Sequence, residues 1–260
     1  MTTDTLWRKV WISVAITAAF IAATILFVSV PASRLSHPAA REYAAAIARL
    51  LLAGVTIIAL RRTSPDALRS PMARSWWIIL PVAIYSLIVY PLLFTGTLAL
   101  NVSDPNLASG VACNGFAAGA FEEFVFRGLI LSLWLSSDLE KENLNNTWRA
   151  IVVSALFFSL PHALNVFAGH AEARVVAQLV WSFLLGAVFA CLRIAGRSIW
   201  PVAVLHGVMN AFVHVNRLGV EIQPSTLGAV ALALAPLPLC LYGAILVRQK
   251  LRVEGKAKLS

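Results

Sequence analysis

Apolar stretches close to the ~20 residues that cross the hydrocarbon core of a bilayer recur along almost the whole of this 260-residue chain. They fall at about Val10–Val30, Tyr43–Leu60, Trp76–Leu100, Leu107–Leu135, Trp148–Ala168, Val175–Ile194, Ser198–Val215 and Thr226–Val247. Only 13% of residues are charged and mean hydropathy is +0.79, against roughly 25% charged in a soluble domain. The pattern predicts an all-α polytopic membrane protein, with about eight transmembrane helices around a polar intramembrane cavity and a single integral membrane domain over 1–260. The first run follows Trp7-Arg8-Lys9 and exceeds the 7–15 residues of a secretory h-region, so it reads as a retained span.

The formal charge of +9 does not point to nucleic acid, because the basic residues alternate between connections instead of forming a patch. With the N-terminus inside, fifteen basic residues collect on the inner side, among them Arg61, Arg62, Arg69, Arg74, Lys141 and Lys258, and only Arg34, Arg41, Arg174 and Arg217 on the outer side. This bias predicts both termini in the cytoplasm, an even number of crossings and contact with anionic lipid. The connection Asn101–Asn106 holds no basic residue, as an outer turn should. Ser136–Thr147 and Asn216–Ser225 read as polar connections. Cys113, Cys191 and Cys240 lie in separate spans without Cys-x-x-Cys spacing, which predicts neither a disulfide framework nor a thiolate zinc site.

Ionisable side chains near the middle of a bilayer cost about 2.5–3.5 kcal/mol each on insertion scales, so those that persist tend to face a cavity and act there. Here they form three groups: Glu122, Glu123 and Arg127; His162, directly after Pro161; and His206 with Asn210. Glu123 and Arg127 are four apart and share a helix face, while Glu122 points about 100° away. Arg127 can therefore hold Glu123 as a pair and leave Glu122 to take a proton from water. A pair that only locks two helices accounts for Glu123 and Arg127 but leaves Glu122 alone. His206 and Asn210 also share a face, where an imidazole and an amide can donate to one oxyanion. Pro161 should disrupt its helix and open the span around His162. At ~1.5 Å per residue from the inner ends of their spans, Glu122 lies about 20 Å deep, His162 about 21 Å and His206 about 12 Å, close enough to line one cavity. Asn114, two turns before Glu122, can line it too. His170 and His214 read as interfacial. Arg49, near the middle of the second span, either snorkels or bonds a carboxylate elsewhere.

At these residues the chain resembles the CAAX-processing and bacteriocin-processing (CPBP, or Abi) intramembrane proteases. The family pattern E-E-x-x-x-R, then F-x-x-x-H, then H-x-x-x-N is present as Glu122-Glu123-Phe124-Val125-Phe126-Arg127, Phe158-Ser159-Leu160-Pro161-His162 and His206-Gly207-Val208-Met209-Asn210. The three motifs occur in order, in separate spans, within about Phe116–Phe212 and hence inside a protease core of about 107–216. The resemblance implies a glutamic-type endopeptidase in which Glu122 and His162 activate water, His206 and Asn210 bind the oxyanion, and Glu123 and Arg127 brace the site. The family has also been described as metalloproteases, and two His with a Glu can hold zinc with an open position. No H-E-x-x-H is present and Asn is a poor zinc ligand, so no metal and no other cofactor is expected.

The expected activity is hydrolysis of a peptide or protein substrate with a membrane-associated segment, near a C-terminal or anchor segment. The expected partners are that substrate and membrane lipid, with no nucleic acid. The expected location is a bacterial cytoplasmic (inner) membrane, since no long extramembrane domain is evident. The alternative is a non-catalytic scaffold or immunity protein that binds a peptide in the same cavity. A proton-coupled carrier using Glu122 and Glu123 is a third reading, disfavoured by the lack of two-half symmetry.

Overall fold

The computed structural model describes residues 3–95, 98, 102–135, 144–167, 169, 171–218 and 226–257. Most of the Ser136–Thr147 and Asn216–Ser225 connections, and His170 and Lys258, lie outside these. All regular elements among the described residues are helical. We number the membrane-scale segments α1 (Thr3–Ser33), α2 (Pro38–Thr63), α3 (Ala73–Leu93), α4 (105–135), α5 (Leu144–Val166), α6 (Glu172–Gly196), α7 (Trp200–Asn216) and α8 (Leu227–Val253). Over their described residues the eight expected apolar runs fall on these segments, but the expected count of about eight crossings is not reached. Among the described residues, six helices are long and apolar enough to cross a bilayer; α4 and α7 are not among them. α4 carries Glu122, Glu123 and Arg127 in its C-terminal half, and α7 has 17 residues, short of the ~20 a crossing needs.

The outer face of the bundle is the one a lipid solvent would demand. On α2, Ile47 (60% exposed), Leu51 (68%), Val55 (64%) and Ile58 (56%) form one outward stripe at helical spacing. The interior is filled by Phe126, Ile130, Leu131, Ile151, Phe158, Leu185 and Phe189. α4 starts where Asp104 accepts hydrogen bonds from the backbone N–H of Asn106 and Leu107, both at 3.0 Å, with Pro105 next. The turn before α4 therefore ends in a helix cap. Hydroxyl and indole donors tie the helices together: Trp134 Nε1 donates to Ser13 Oγ at 3.0 Å, Tyr242 to the Ile78 carbonyl at 3.0 Å, and Trp200 Nε1 to the Leu68 carbonyl at 3.2 Å.

α4 and α7 cross at their backbones. A Cβ on Gly119 would lie 2.8 Å from the Gly207 nitrogen and the His206 carbonyl, and one on Gly115 would lie 2.9 Å from the Ala211 nitrogen. Gly115-x-x-x-Gly119 thus faces Gly207-x-x-x-Ala211, the small-residue contact by which membrane helices approach closely. Because Gly119 precedes Glu123 by one turn and Gly207 follows His206, this crossing sets the distance between the two motifs. Replacing Gly119 by Val is expected to force the helices apart. Strain of about 1–3 kcal/mol should appear as a lower unfolding temperature in detergent, and a displacement of about 1 Å should reduce turnover about a hundredfold. A Gly119→Val protein with wild-type turnover would show that the close crossing is not needed.

Candidate active site

Beyond Glu123, α4 widens into a π-helical turn from Phe124 to Ile130. Such turns free backbone groups and are common at functional positions. Here Ser154 of α5 donates to the Phe126 carbonyl at 2.9 Å. The turn carries Arg127, and Arg127 NH1 stands 2.9 Å from Glu123 Oε1, with both side chains fully buried. The guanidinium carbon lies 4.0 Å from the centroid of the Phe158 ring, a desolvated cation–π contact. Gly186 leaves the space this needs, since a Cβ there would be 3.0 Å from Arg127 NH2 and from Phe158 Cδ1.

His206 enters from α7 and joins both glutamates. Its Nδ1 is 2.8 Å from Glu123 Oε1, and its Nε2 is 3.7 Å from Glu122 Oε2. A carboxylate only accepts hydrogen bonds, so the shorter contact places a proton on Nδ1 and turns Nε2 toward Glu122. The ring is 4% exposed and packs against Phe189, with centroids 4.9 Å apart, and Phe158, at 5.7 Å. Glu122 retains 20% exposure where Glu123 has none. The two adjacent carboxylates therefore differ as their 100° offset on the helix predicts. One is sealed against Arg127 and His206, and the other keeps an exposed edge. Glu123 Oε2 has no hydrogen-bond partner among the described residues.

His162 sits where α5 tightens into a 3-10 helix, Leu160–Val166, directly after Pro161 at the start of that segment. Asn165 Nδ2 donates to Gln178 Oε1 at 2.8 Å and fastens the segment to α6. His162 Nδ1 lies 3.2 Å from the Phe158 carbonyl and 3.3 Å from that of Ser159. Carbonyls accept, so this nitrogen also carries the proton. His162 is half-buried and lies in the electrostatic field of both Glu122 and His206, without a direct hydrogen bond to either. The Phe158 ring separates Arg127, His162 and His206, which gives the Phe of F-x-x-x-H a physical task. Asn210, one turn beyond His206, is half-buried, and its amide makes no hydrogen bond among the described residues.

Sequence reasoning paired His206 with Asn210 and Glu122 with His162. In the structure, the direct contacts of His206 are to Glu123 and Glu122, an arrangement that spans 83 residues of chain and has no local signature. Phe189 and Gly186 were likewise not singled out. Nor was the Gly115-x-x-x-Gly119 spacing, the one sequence signal that could have pointed to the crossing. Arg49 lacked an assigned partner. Its NH1 donates to Asn114 Oδ1, and Asn114 Nδ2 donates to Glu42 Oε2 at 2.6 Å. His214 is exposed, and the three cysteines are free. Among the described residues, no group of three or more His, Cys, Asp or Glu is placed to hold a metal ion.

Neither a curated protein nor a solved structure matches the chain. A family match covers residues 104–212, from the cap of α4 to the second half of α7, and contains all three motifs. Over that segment, somewhat less than half of its length, the chain is similar to the Rce1-like family, described as type II CAAX prenyl endopeptidase Rce1-like.

Proposed function

We propose that this integral membrane protein cleaves a peptide bond by a glutamic-type mechanism, in a membrane-associated peptide or protein and near a C-terminal or anchor segment. The observation that carries this reading is the asymmetry of the glutamates. Glu123 is sealed by Arg127 and His206, while Glu122 keeps an open edge beside the His206 imidazole. Glu122 takes a proton from a water whose oxygen attacks the carbonyl carbon, and returns it to the nitrogen of the departing amine. His162 orients that water. The Asn210 amide and His206 stabilise the tetrahedral oxyanion. With Nδ1–H given to Glu123, His206 donates from Nε2 only as an imidazolium. Glu123 and Glu122 are its counter-charges, and Glu123 orients the ring as the carboxylate of a triad does.

Zinc would call on Glu122, His162 and His206, but among the described residues these are not drawn together as a group of metal ligands, and the chain has no H-E-x-x-H. We therefore propose catalysis without a metal or other cofactor. The orientation supported by the basic residues puts both termini in the cytoplasm, with a bacterial inner membrane as the proposed location. The test is mass spectrometry of membrane-peptide termini from cells expressing wild type or Glu122→Gln. A new terminus that requires Glu122 is expected, and its rate of formation in membranes should change less than about twofold with EDTA or phenanthroline. Loss under chelation, restored by zinc, would replace the metal-free mechanism. The absence of any Glu122-dependent terminus would favour a peptide-binding role.

A further inference from the structure

Arg49 is the intramembrane cation that the proposed mechanism does not use. It lies on α2 two residues after Ile47, and so about 200° around the helix from the lipid-facing stripe that Ile47 begins. Its side chain is directed into the bundle, against α4. It is held there by a neutral group, the Asn114 carbonyl oxygen, and the Asn114 amide is in turn held by Glu42. No carboxylate stands within 4 Å of Arg49 among the described residues, so its charge has no direct ion pair there. Its anchor, Asn114, stands eight residues before Glu122 on α4, a rise of about 12 Å along the helix. A guanidinium placed in a membrane interior and fixed at one nitrogen by an amide on the helix that carries the proposed base is an incomplete anion site. Its remaining N–H groups form the fork that binds a carboxylate in bidentate fashion.

We propose that Arg49, positioned by Asn114 and Glu42, binds a carboxylate of the substrate and thereby fixes which peptide bond reaches Glu122. This rests on the endopeptidase reading. Arg49, on α2, lies outside the matched segment, so the subsite would belong to this chain's own substrate choice. The carboxylate is either the free C-terminus of the peptide or an acidic side chain close to the cleavage point, and both offer the same pair of oxygens.

The test measures binding, so that it does not depend on turnover. A fluorescein-labelled octapeptide of alternating Ala and Leu is titrated, as free acid and as C-terminal amide, against detergent-solubilised protein carrying Glu122→Gln, with and without Arg49→Gln. The parent should bind the acid about tenfold more tightly than the amide, and Arg49→Gln should erase that preference by weakening the acid alone. Arg49→Lys should keep part of it, and its elution as a folded species separates loss of binding from loss of fold. A third peptide, amidated but ending in Glu, distinguishes the sources. Arg49-dependent binding of that peptide, without an acid-over-amide preference in the first pair, supports the carboxylate subsite and assigns it to a side chain. Equal weakening of acid and amide, or no carboxylate preference in the parent, overturns the proposal. If cleavage fails the Glu122 comparison but this preference stands, the endopeptidase reading falls and the subsite remains.

Discussion

Purified Glu122→Gln protein should cleave a confirmed substrate about a thousandfold more slowly than wild type, with KM changed less than about threefold. Gln has the same shape and still reaches toward His206, but its amide nitrogen cannot accept a proton from water and its oxygen is too weak a base to do so. The loss should therefore fall on kcat. The protein should remain folded, because Glu122 is open at 20% exposure and its contact with His206 is long, at 3.7 Å. Circular dichroism and unfolding temperature would confirm this alongside the kinetics. A variant within about tenfold of wild type would remove Glu122 from the role of base. His206→Ala should be comparably slow, since Nε2 of that ring is what faces the same carboxylate.

The second large effect is on stability. Glu123→Ala and Arg127→Met should each destabilise the protein by about 3–5 kcal/mol, because either leaves its partner charged in a site without solvent access. The double variant should cost clearly less than the two single losses combined, since neither charge then remains buried alone. Unfolding in detergent micelles, followed by tryptophan fluorescence, measures the cycle. Two single variants that each lose less than about 1 kcal/mol would mean that water reaches the pair. Glu123→Ala should also lower turnover, by releasing the acceptor that holds His206 Nδ1 at 2.8 Å. Arg127→Met should lower it less, since Arg127 touches Glu123 and the Phe158 ring but neither histidine.

The readable parts of this site are those a single helix carries. The opposed directions of Glu122 and Glu123, the Glu123–Arg127 pair and the break in α5 at Pro161 all follow from a period of 3.6 residues and from a ring that cannot donate. The expected apolar runs map onto helices for the same reason, because in lipid a backbone must satisfy its own hydrogen bonds. Estimating depth also brought Glu122, His162 and His206 to similar heights, but it could not say which ring turns to which oxygen. Arg49 shows the limit most clearly. Nothing around residue 49 names its partner, which lies 65 residues away on another helix.

From its sequence alone this chain is determined to be a helical membrane protein that keeps a carboxylate pair, an arginine and two histidines in an apolar solvent, where such groups persist only if they serve one another or a substrate. The tertiary structure decided which of them meet. Lipid is as apolar as the side chains, so burial cannot choose among helix faces, and close approach is left to small residues and polar contacts. Gly115 and Gly119 against Gly207 and Ala211 make that choice here. They bring α7 so near to α4 that the Glu123 carboxylate sealed by Arg127 also holds the His206 ring that faces Glu122.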